Sequence, residues 1–197
     1  MRRFVLGWKK LGLERSLGTR LVTYADDLVI LCRRGNAEAA LHHLREIMGK
    51  LKLTVNEDKT HVCSVPEGRF DFLGYTFGRC YSEKTGRSYI GSRPSKKSIG
   101  RAVAAISALT QRRTTGLVAA NVVGRLNRML IGWANYFRLG PVSKAYRILD
   151  VHAVTRLRRW LRKKHKGSRG ISFEHLHGRV GLVQLAGRTR SFPWANA

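Results

Sequence analysis

The chain has 197 residues, 43% of them hydrophobic, enough to bury one large or two small cores and to exclude a disordered polymer. Its 38 Lys and Arg against 12 Asp and Glu leave a formal charge of +26, so the expected partner is a polyanion such as RNA or DNA. No apolar run approaches the ~20 residues of a membrane span, and the opening stretch Met1 to Trp8 is too short and polar for a secretion signal, so a cytoplasmic or organellar protein is expected with no membrane partner.

In chain order, Phe4, Val5, Trp8 and Leu11 recur at helical spacing in a segment that begins without a capping residue. Two β-branched-rich runs, Leu21-Val22-Thr23 and Leu28-Val29-Ile30-Leu31, then flank Tyr24-Ala25-Asp26-Asp27 and read as a β-hairpin with those four residues as its turn. Asn36 stands where a helix would be capped. The helix runs to about Lys52 and turns Ala40, Leu41, Leu44, Ile47, Met48 and Leu51 to one side. Leu53-Thr54-Val55 and Val62-Cys63-Ser64-Val65 read as short strands around the polar loop Asn56 to Thr60. Phe70 to Phe77 reads as a strand with an internal glycine, Gly74, and Tyr81 to Ile90 as a hairpin.

From there the pattern is helical. Ser95 caps a helix to about Arg113 with Ile99, Ala102, Val103, Ile106 and Leu109 inward and Lys96, Lys97 and Arg101 outward. A second helix spans about Leu117 to Leu139, burying Val118, Val122, Leu126, Met129, Leu130, Trp133, Tyr136 and Phe137, and ends at Gly140-Pro141. A third runs from Ser143 to about Lys166 with Ala145, Leu149, Ala153, Leu157, Trp160 and Leu161 inward. Ser172 starts a last short helix, and a loop comes after Gly187.

Charge divides the chain unevenly. Residues 1–92 hold 16 basic and 10 acidic side chains; residues 93–197 hold 22 basic and two acidic, Asp150 and Glu174. A domain boundary is therefore expected near Gly91 to Pro94. The fold class is α+β: antiparallel strands with a packed helix over 1–92, then an all-helical, highly basic domain over 93–197. The three cysteines, Cys32, Cys63 and Cys80, form no Cys-x-x-Cys pair, which speaks against a zinc ribbon or disulfide framework and for small buried residues in a reducing compartment. His175 and His177 have no cysteine nearby and read as surface or RNA-facing residues.

Two adjacent carboxylates between apolar strands need a compensating cation, and neighbouring hard oxygen ligands suit Mg²⁺. The bland alternative is a solvated Asp-rich turn. Nucleotidyl transfer with two metals would ask for a further carboxylate, and none of Glu14, Glu38, Glu46, Glu57, Asp58, Glu67, Asp71 or Glu83 is placed by pattern at a strand end facing the hairpin. The run Arg156, Arg158, Arg159, Arg162, Lys163, Lys164 lacks acidic partners, so self-repulsion is uncompensated unless phosphates relieve it. Trp133, Tyr136 and Phe137 could stack on bases, but their spacing with Met129 and Leu130 favours the core.

Tyr24-Ala25-Asp26-Asp27 in an apolar hairpin resembles the palm motif of reverse transcriptases, and the order of the downstream blocks resembles the group II intron-encoded reverse transcriptase and maturase family. Asn56-Glu57-Asp58-Lys59-Thr60 is similar to that family's next palm block, and Phe70 to Phe77 to its primer-grip strand. Pro94-Ser95-Lys96-Lys97, Gly132-Trp133-Ala134-Asn135-Tyr136-Phe137 and Arg158-Arg159-Trp160-Leu161-Arg162-Lys163-Lys164-His165 resemble its thumb, or maturase X, region. The resemblance implies a partial palm followed by a thumb and maturase domain. It implies that Asp26 and Asp27 bind Mg²⁺ and that Tyr24 and Ala25 lie beside primer and nucleotide. Lys59 would be a proton donor near the leaving pyrophosphate, or else a solvated loop lysine. Phe72, Leu73, Gly74 and Tyr75 would hold the primer through their backbone, the side chains of Phe72 and Leu73 being core. Lys96, Lys97, Arg101, Arg156, Arg158, Arg159, Arg162, Lys163 and Lys164 would bind RNA.

The implied partners are intron RNA and an RNA template with its DNA primer. Met1 stands 23 residues before Tyr24, which leaves no room for the family's fingers or first palm aspartate. Met1 is then expected to be an internal methionine, with the fingers supplied by a longer or separate chain. Two functions remain open at this level: the palm and thumb of an RNA-directed DNA polymerase that is not competent alone, or a non-catalytic RNA-binding maturase module. A product of a truncated gene is the third option.

Overall fold

The computed structural model describes residues 1–82, 85–165, 172 and 174–191, and the chain folds as two compact units, Met1–Phe72 and Leu73–Ala197. The fold is α+β, as expected, with small antiparallel sheets and several helices. No helix among the described residues is long and apolar enough to cross a membrane.

In the first unit, helix α1 (Arg2–Lys10) buries Phe4 and Trp8, while Leu11, read as part of the same stripe, is exposed. The indole Nε1 of Trp8 donates to Thr19 Oγ1 at 3.0 Å, and Thr19 donates onward to the Leu13 carbonyl at 3.1 Å, so the one polar atom of the buried ring is satisfied. A single turn, α2 (Leu13–Ser16), leads into strands β1 (Arg20–Tyr24) and β2 (Asp27–Leu31). They pair antiparallel, Tyr24 opposite Asp27, Thr23 opposite Leu28 and Leu21 opposite Ile30. Helix α3 (Ala37–Lys50) closes the core with Ala40, Leu44, Ile47 and Met48, against which Leu21, Leu28 and Ile30 pack. Asn36 occupies the cap position, yet its side chain does not cap: Nδ2 donates to the Leu17 carbonyl at 2.9 Å.

The strands expected at Leu53–Val55 and Val62–Val65 do not form. Residues 60–65 find no strand partner among the described residues, and Leu53 and Val62 are each 48% exposed. This stretch is organised by a 3₁₀ turn at Glu57–Lys59, capped by Asn56 Oδ1 accepting from the Lys59 N–H at 3.2 Å. A two-pronged ion pair ties it to α3: Arg45 Nε and Nη2 donate to Glu57 Oε1 and Oε2 at 3.0 and 2.7 Å.

The expected single strand Phe70–Phe77 is two: β3 (Phe70–Phe72) ends where Leu73 and Gly74 take φ of +50° and +80°, and β4 (Tyr75–Tyr81) begins after them. A left-handed pair cannot continue a pleated strand. In the second unit β4 pairs antiparallel with β5 (Ser88–Pro94), as the hairpin reading requires; its turn residues Glu83 and Lys84 lie outside the described residues. Ser95 caps α4 (Lys96–Leu109), its Oγ accepting from the Ser98 N–H at 3.1 Å. The helix stops at Thr110, not Arg113, and a 3₁₀ turn (Arg112–Thr114) takes over.

Helices α5 (Ala119–Tyr136) and α6 (Ser143–Lys164) complete the three-helix core, in which Ile106, Leu126, Leu130, Tyr146, Leu149 and Leu157 have no exposed surface. At ~1.5–3 kcal/mol for each large apolar side chain fully buried, this cluster outweighs any single polar contact in the unit. Two members of the expected α5 stripe are not buried: Val118 precedes the helix and is 62% exposed, and Tyr136 is exposed at its end. Lys166, expected in α6, lies outside the described residues.

The C-terminal segment returns to the core through side chains that the pattern does not reveal. Asn127 clamps it from α5, Nδ2 donating to the Gly181 carbonyl at 2.7 Å and Oδ1 accepting from the Val183 N–H at 2.9 Å. From α6, the buried carboxylate of Asp150 accepts from the Leu185 and Ala186 N–H groups, both at 2.9 Å. Leu176, Leu182 and Leu185 are thereby seated in the helical core. Ser172 Oγ accepts from the His175 N–H at 3.1 Å, opening a short π-helical turn (His175–Arg179). His177, read as a surface residue, is half-buried with Nδ1 2.6 Å from the Leu182 carbonyl oxygen. Where a loop is expected after Gly187, a 3₁₀ turn spans Ala186–Ser191.

Candidate functional site

The two-residue turn of the first hairpin places its polar groups by simple alternation. Leu21, Leu28 and Ile30 face the core, so Tyr24 and Asp27, one residue out of phase, point to the opposite face, with Asp26 at the tip. Both aspartates are exposed and Tyr24 is 63% exposed. Ala25 holds φ at +48°, a left-handed value that costs an L-residue with a Cβ about 1–2 kcal/mol. The apolar strands thus carry an acidic, aromatic turn outward.

Asp26 and Asp27 offer the hard oxygen donors that Mg²⁺ takes, so the donor type suits the ion. Their number does not close a site: among the described residues no group of three or more His, Cys, Asp or Glu side chains is placed to hold a metal ion. Lys59 is exposed at the end of the 3₁₀ turn, whose position is set by the Arg45–Glu57 pair, and the Arg45 guanidinium holds the Glu57 carboxyl below its usual range. Among the described residues no hydrogen bond or ion pair joins Lys59 to the aspartates.

Of the four residues read as a primer-holding strand, Phe72 closes the first unit, half-buried, and the other three belong to the second. Gly74 has an internal reason to be glycine. A Cβ there would sit 2.9 Å from Ser98 Oγ and 3.0 Å from Phe137 Cζ, and its carbonyl accepts from the Ser95 N–H and the Ser98 hydroxyl, both at 2.9 Å. Tyr75 is buried, with its hydroxyl donating to the Tyr136 carbonyl at 2.6 Å; burial chiefly pushes its pKa up. Tyr136 reciprocates, donating to the Leu73 carbonyl at 2.9 Å. These groups lock β4 to the ends of α4 and α5, and Trp133, Tyr136 and Phe137 form an aromatic cluster with Tyr75 rather than a stacking platform.

The cations read as RNA-binding differ in their surroundings. Lys96, Lys97 and Arg101 are exposed on the first turns of α4, where the helix dipole already makes positive charge unfavourable and no acidic residue offsets it. Arg156 and Lys164 are engaged inside the unit. Arg156 Nε donates to Thr110 Oγ1 at 3.1 Å and Nη2 to the Ser107 and Thr110 carbonyls at 3.0 and 3.2 Å, which caps the C-terminus of α4. Lys164 Nζ donates to the Thr115 and Leu117 carbonyls at 3.1 and 2.8 Å. Arg158 is half-buried, its Nε without a hydrogen-bond partner.

Arg159, Arg162 and Lys163 remain exposed, and with Arg112 they line an open cleft of about 520 Å³, to which Thr110, Arg156 and Trp160 also contribute. Periodicity hides Arg112, because it falls inside the span expected for the preceding helix. Beside this cleft His152 Nε2 lies 2.9 Å from Ser107 Oγ, its pKa lowered first by burial and then by Arg156 and Arg159.

Two family models match the chain in succession. The model for reverse transcriptase (RNA-dependent DNA polymerase) matches residues 4–77, and that for the group II intron, maturase-specific domain matches residues 99–178. Together they cover more than three quarters of the sequence. No curated protein matches it.

Proposed function

Because the chain belongs to the family of group II intron reverse transcriptases and maturases, we propose that its helical unit binds intron RNA through the phosphate backbone and assists the RNA in folding for splicing. The observation that carries this reading is the solvent-facing cation set Lys96, Lys97, Arg101, Arg159, Arg162 and Lys163, none of which has a carboxylate partner among the described residues. Of the unit's two acidic side chains beyond the β-hairpin, Asp150 is committed to backbone amides. Cations left unpaired, some of them on a helix N-terminus, repel one another until an anion arrives.

The reading is tested by RNA binding of the purified chain over a salt series. Neutralising several phosphates makes log K fall linearly with log salt, by about 0.7 per contact on a single strand. Weak binding with a flat salt response would refute it.

The turn at Asp26 and Asp27 supports a second reading, a polymerase palm, because it presents both carboxylates and Tyr24 to solvent. Mg²⁺ would supply charge neutralisation of phosphoryl oxygens there, with Asp26 and Asp27 as two of its ligands. The remaining ligands are not found among the described residues, so the isolated chain is expected to show no Mg²⁺-dependent extension of a primed RNA template. Extension that disappears on Asp26→Ala would overturn that expectation and favour the second reading.

A further inference from the structure

The cleft at the C-terminal end of α4 divides the basic residues of α6 into two jobs. We propose that Arg112, Arg159, Arg162 and Lys163 form a site for consecutive phosphodiesters of one RNA strand, built by Arg156 and Lys164, which do not themselves bind RNA. The site rests on the helical unit being an RNA-binding one, and it narrows that role to one place and one kind of contact.

Arg159, Arg162 and Lys163 stand at i, i+3 and i+4 on α6, so their side chains emerge ~5–6 Å apart, on the scale of neighbouring phosphates along a strand. Arg112 approaches from the 3₁₀ turn on the other side of the cleft. None of the four makes a side-chain hydrogen bond or ion pair among the described residues, so their donors point to solvent with no internal partner to displace.

The opposite wall is held in place. Arg156 fastens Thr110, Trp160 Nε1 donates to Thr114 Oγ1 at 2.9 Å, and Lys164 fastens Thr115 and Leu117. The turn that carries Arg112 is therefore pinned to α6 at both ends, and little ordering remains to be done when a ligand binds.

The lining also says which part of RNA is met. Among the described residues Trp160 is the sole aromatic group of the lining, and it is 1% exposed with the Lys164 ammonium 5.7 Å from its ring centre. It offers no face to a base, so recognition falls on phosphate and is independent of sequence.

The test measures binding of the full chain to a 20-nucleotide oligouridine by fluorescence anisotropy across a salt series. The triple variant Arg159→Gln, Arg162→Gln, Lys163→Gln should lower the slope of log K against log salt by about 2, and Arg112→Gln alone by about 0.7. Both should keep the wild-type circular dichroism, since all four side chains are exposed. A control triple on α1, Arg2→Gln, Arg3→Gln, Lys10→Gln, should change the slope by less than the triple on α6.

An unchanged slope in the α6 triple, with wild-type binding intact, overturns the cleft while leaving RNA binding standing. So does an equal loss in the α1 control, which would mean diffuse charge. Polyglutamate displacing the RNA at equal charge concentration would assign the cleft to acidic protein segments instead. Absence of RNA binding by the wild-type chain defeats the broader reading itself.

Discussion

Replacing Arg156 by glutamine tests the proposed division of α6 between a structural cation and RNA-binding ones. The guanidinium is half-buried and makes three hydrogen bonds, to Thr110 Oγ1 and to the carbonyls of Ser107 and Thr110 at the end of α4. A charged donor contributes ~1.5–3 kcal/mol per bond when its loss leaves the acceptor unsatisfied, and a cation at a helix C-terminus up to ~2 kcal/mol more. One side chain shares these terms, and Ser107 is only half-buried, so water can take over part of that contact and we expect Arg156→Gln to cost about 2–3 kcal/mol. For a chain of this size that is a drop of about 4–12 °C in Tm. Arg156→Lys, which keeps the charge and can reach one carbonyl, should lose roughly half as much.

Arg159→Gln, three residues on and exposed, should stay within ~0.5 kcal/mol. The assay is urea unfolding followed by far-ultraviolet circular dichroism, run beside RNA titrations. An Arg156→Gln protein that keeps its unfolding midpoint but loses RNA affinity would refute the division of roles in α6.

Three other outcomes are expected from individual contacts. Asp150→Ala leaves the Leu185 and Ala186 amides without their acceptor and should cost about 1–3 kcal/mol, read as faster hydrogen exchange at those two amides while α4 amides hold. His152 has a folded pKa below its ordinary value, so the unfolded chain binds the proton more readily. Its contribution to stability is full above about pH 6.5 and is lost as pH falls through the lowered value, a fall that His152→Gln should flatten in urea midpoints measured from pH 8 to 5. Ala25→Gly should relieve the left-handed strain at the hairpin turn and, net of the added chain entropy, raise stability by about 0.5–1 kcal/mol; a loss on urea unfolding would show that the turn is unstrained.

Much of the molecule is legible in its sequence because the relevant physics is local. The stripe of α3, the Ser95 cap of α4 and the inward set of α6 all come from spacing or from one side chain bonding its own helix end. The first hairpin is legible for the same reason: two apolar runs with a four-residue polar turn admit one register that buries Leu21, Leu28 and Ile30, and that register sends Tyr24 and Asp27 outward. Net charge requires no fold at all, and it already points to a polyanion.

Tertiary structure decided which partners each residue in those patterns meets. Leu53–Val55 and Val62–Val65 have the composition of strands, but a strand forms only where a neighbour supplies its hydrogen bonds, and the Arg45–Glu57 pair draws the chain between them into a turn on α3 instead. Gly74 reads as a point of close backbone approach, and only the fold shows that Ser98 Oγ and Phe137 Cζ of the same unit would stand 2.9 and 3.0 Å from a Cβ there. Asp150 and Asn127 carry no local signal, since their partners lie 35 or more residues further along the chain. From Arg156 to Lys164 on α6 six basic residues look alike on paper. Only the packing of α4 beneath them makes Arg156 a helix cap and leaves Arg159, Arg162 and Lys163 facing water, because a guanidinium goes wherever unsatisfied carbonyls lie within its reach.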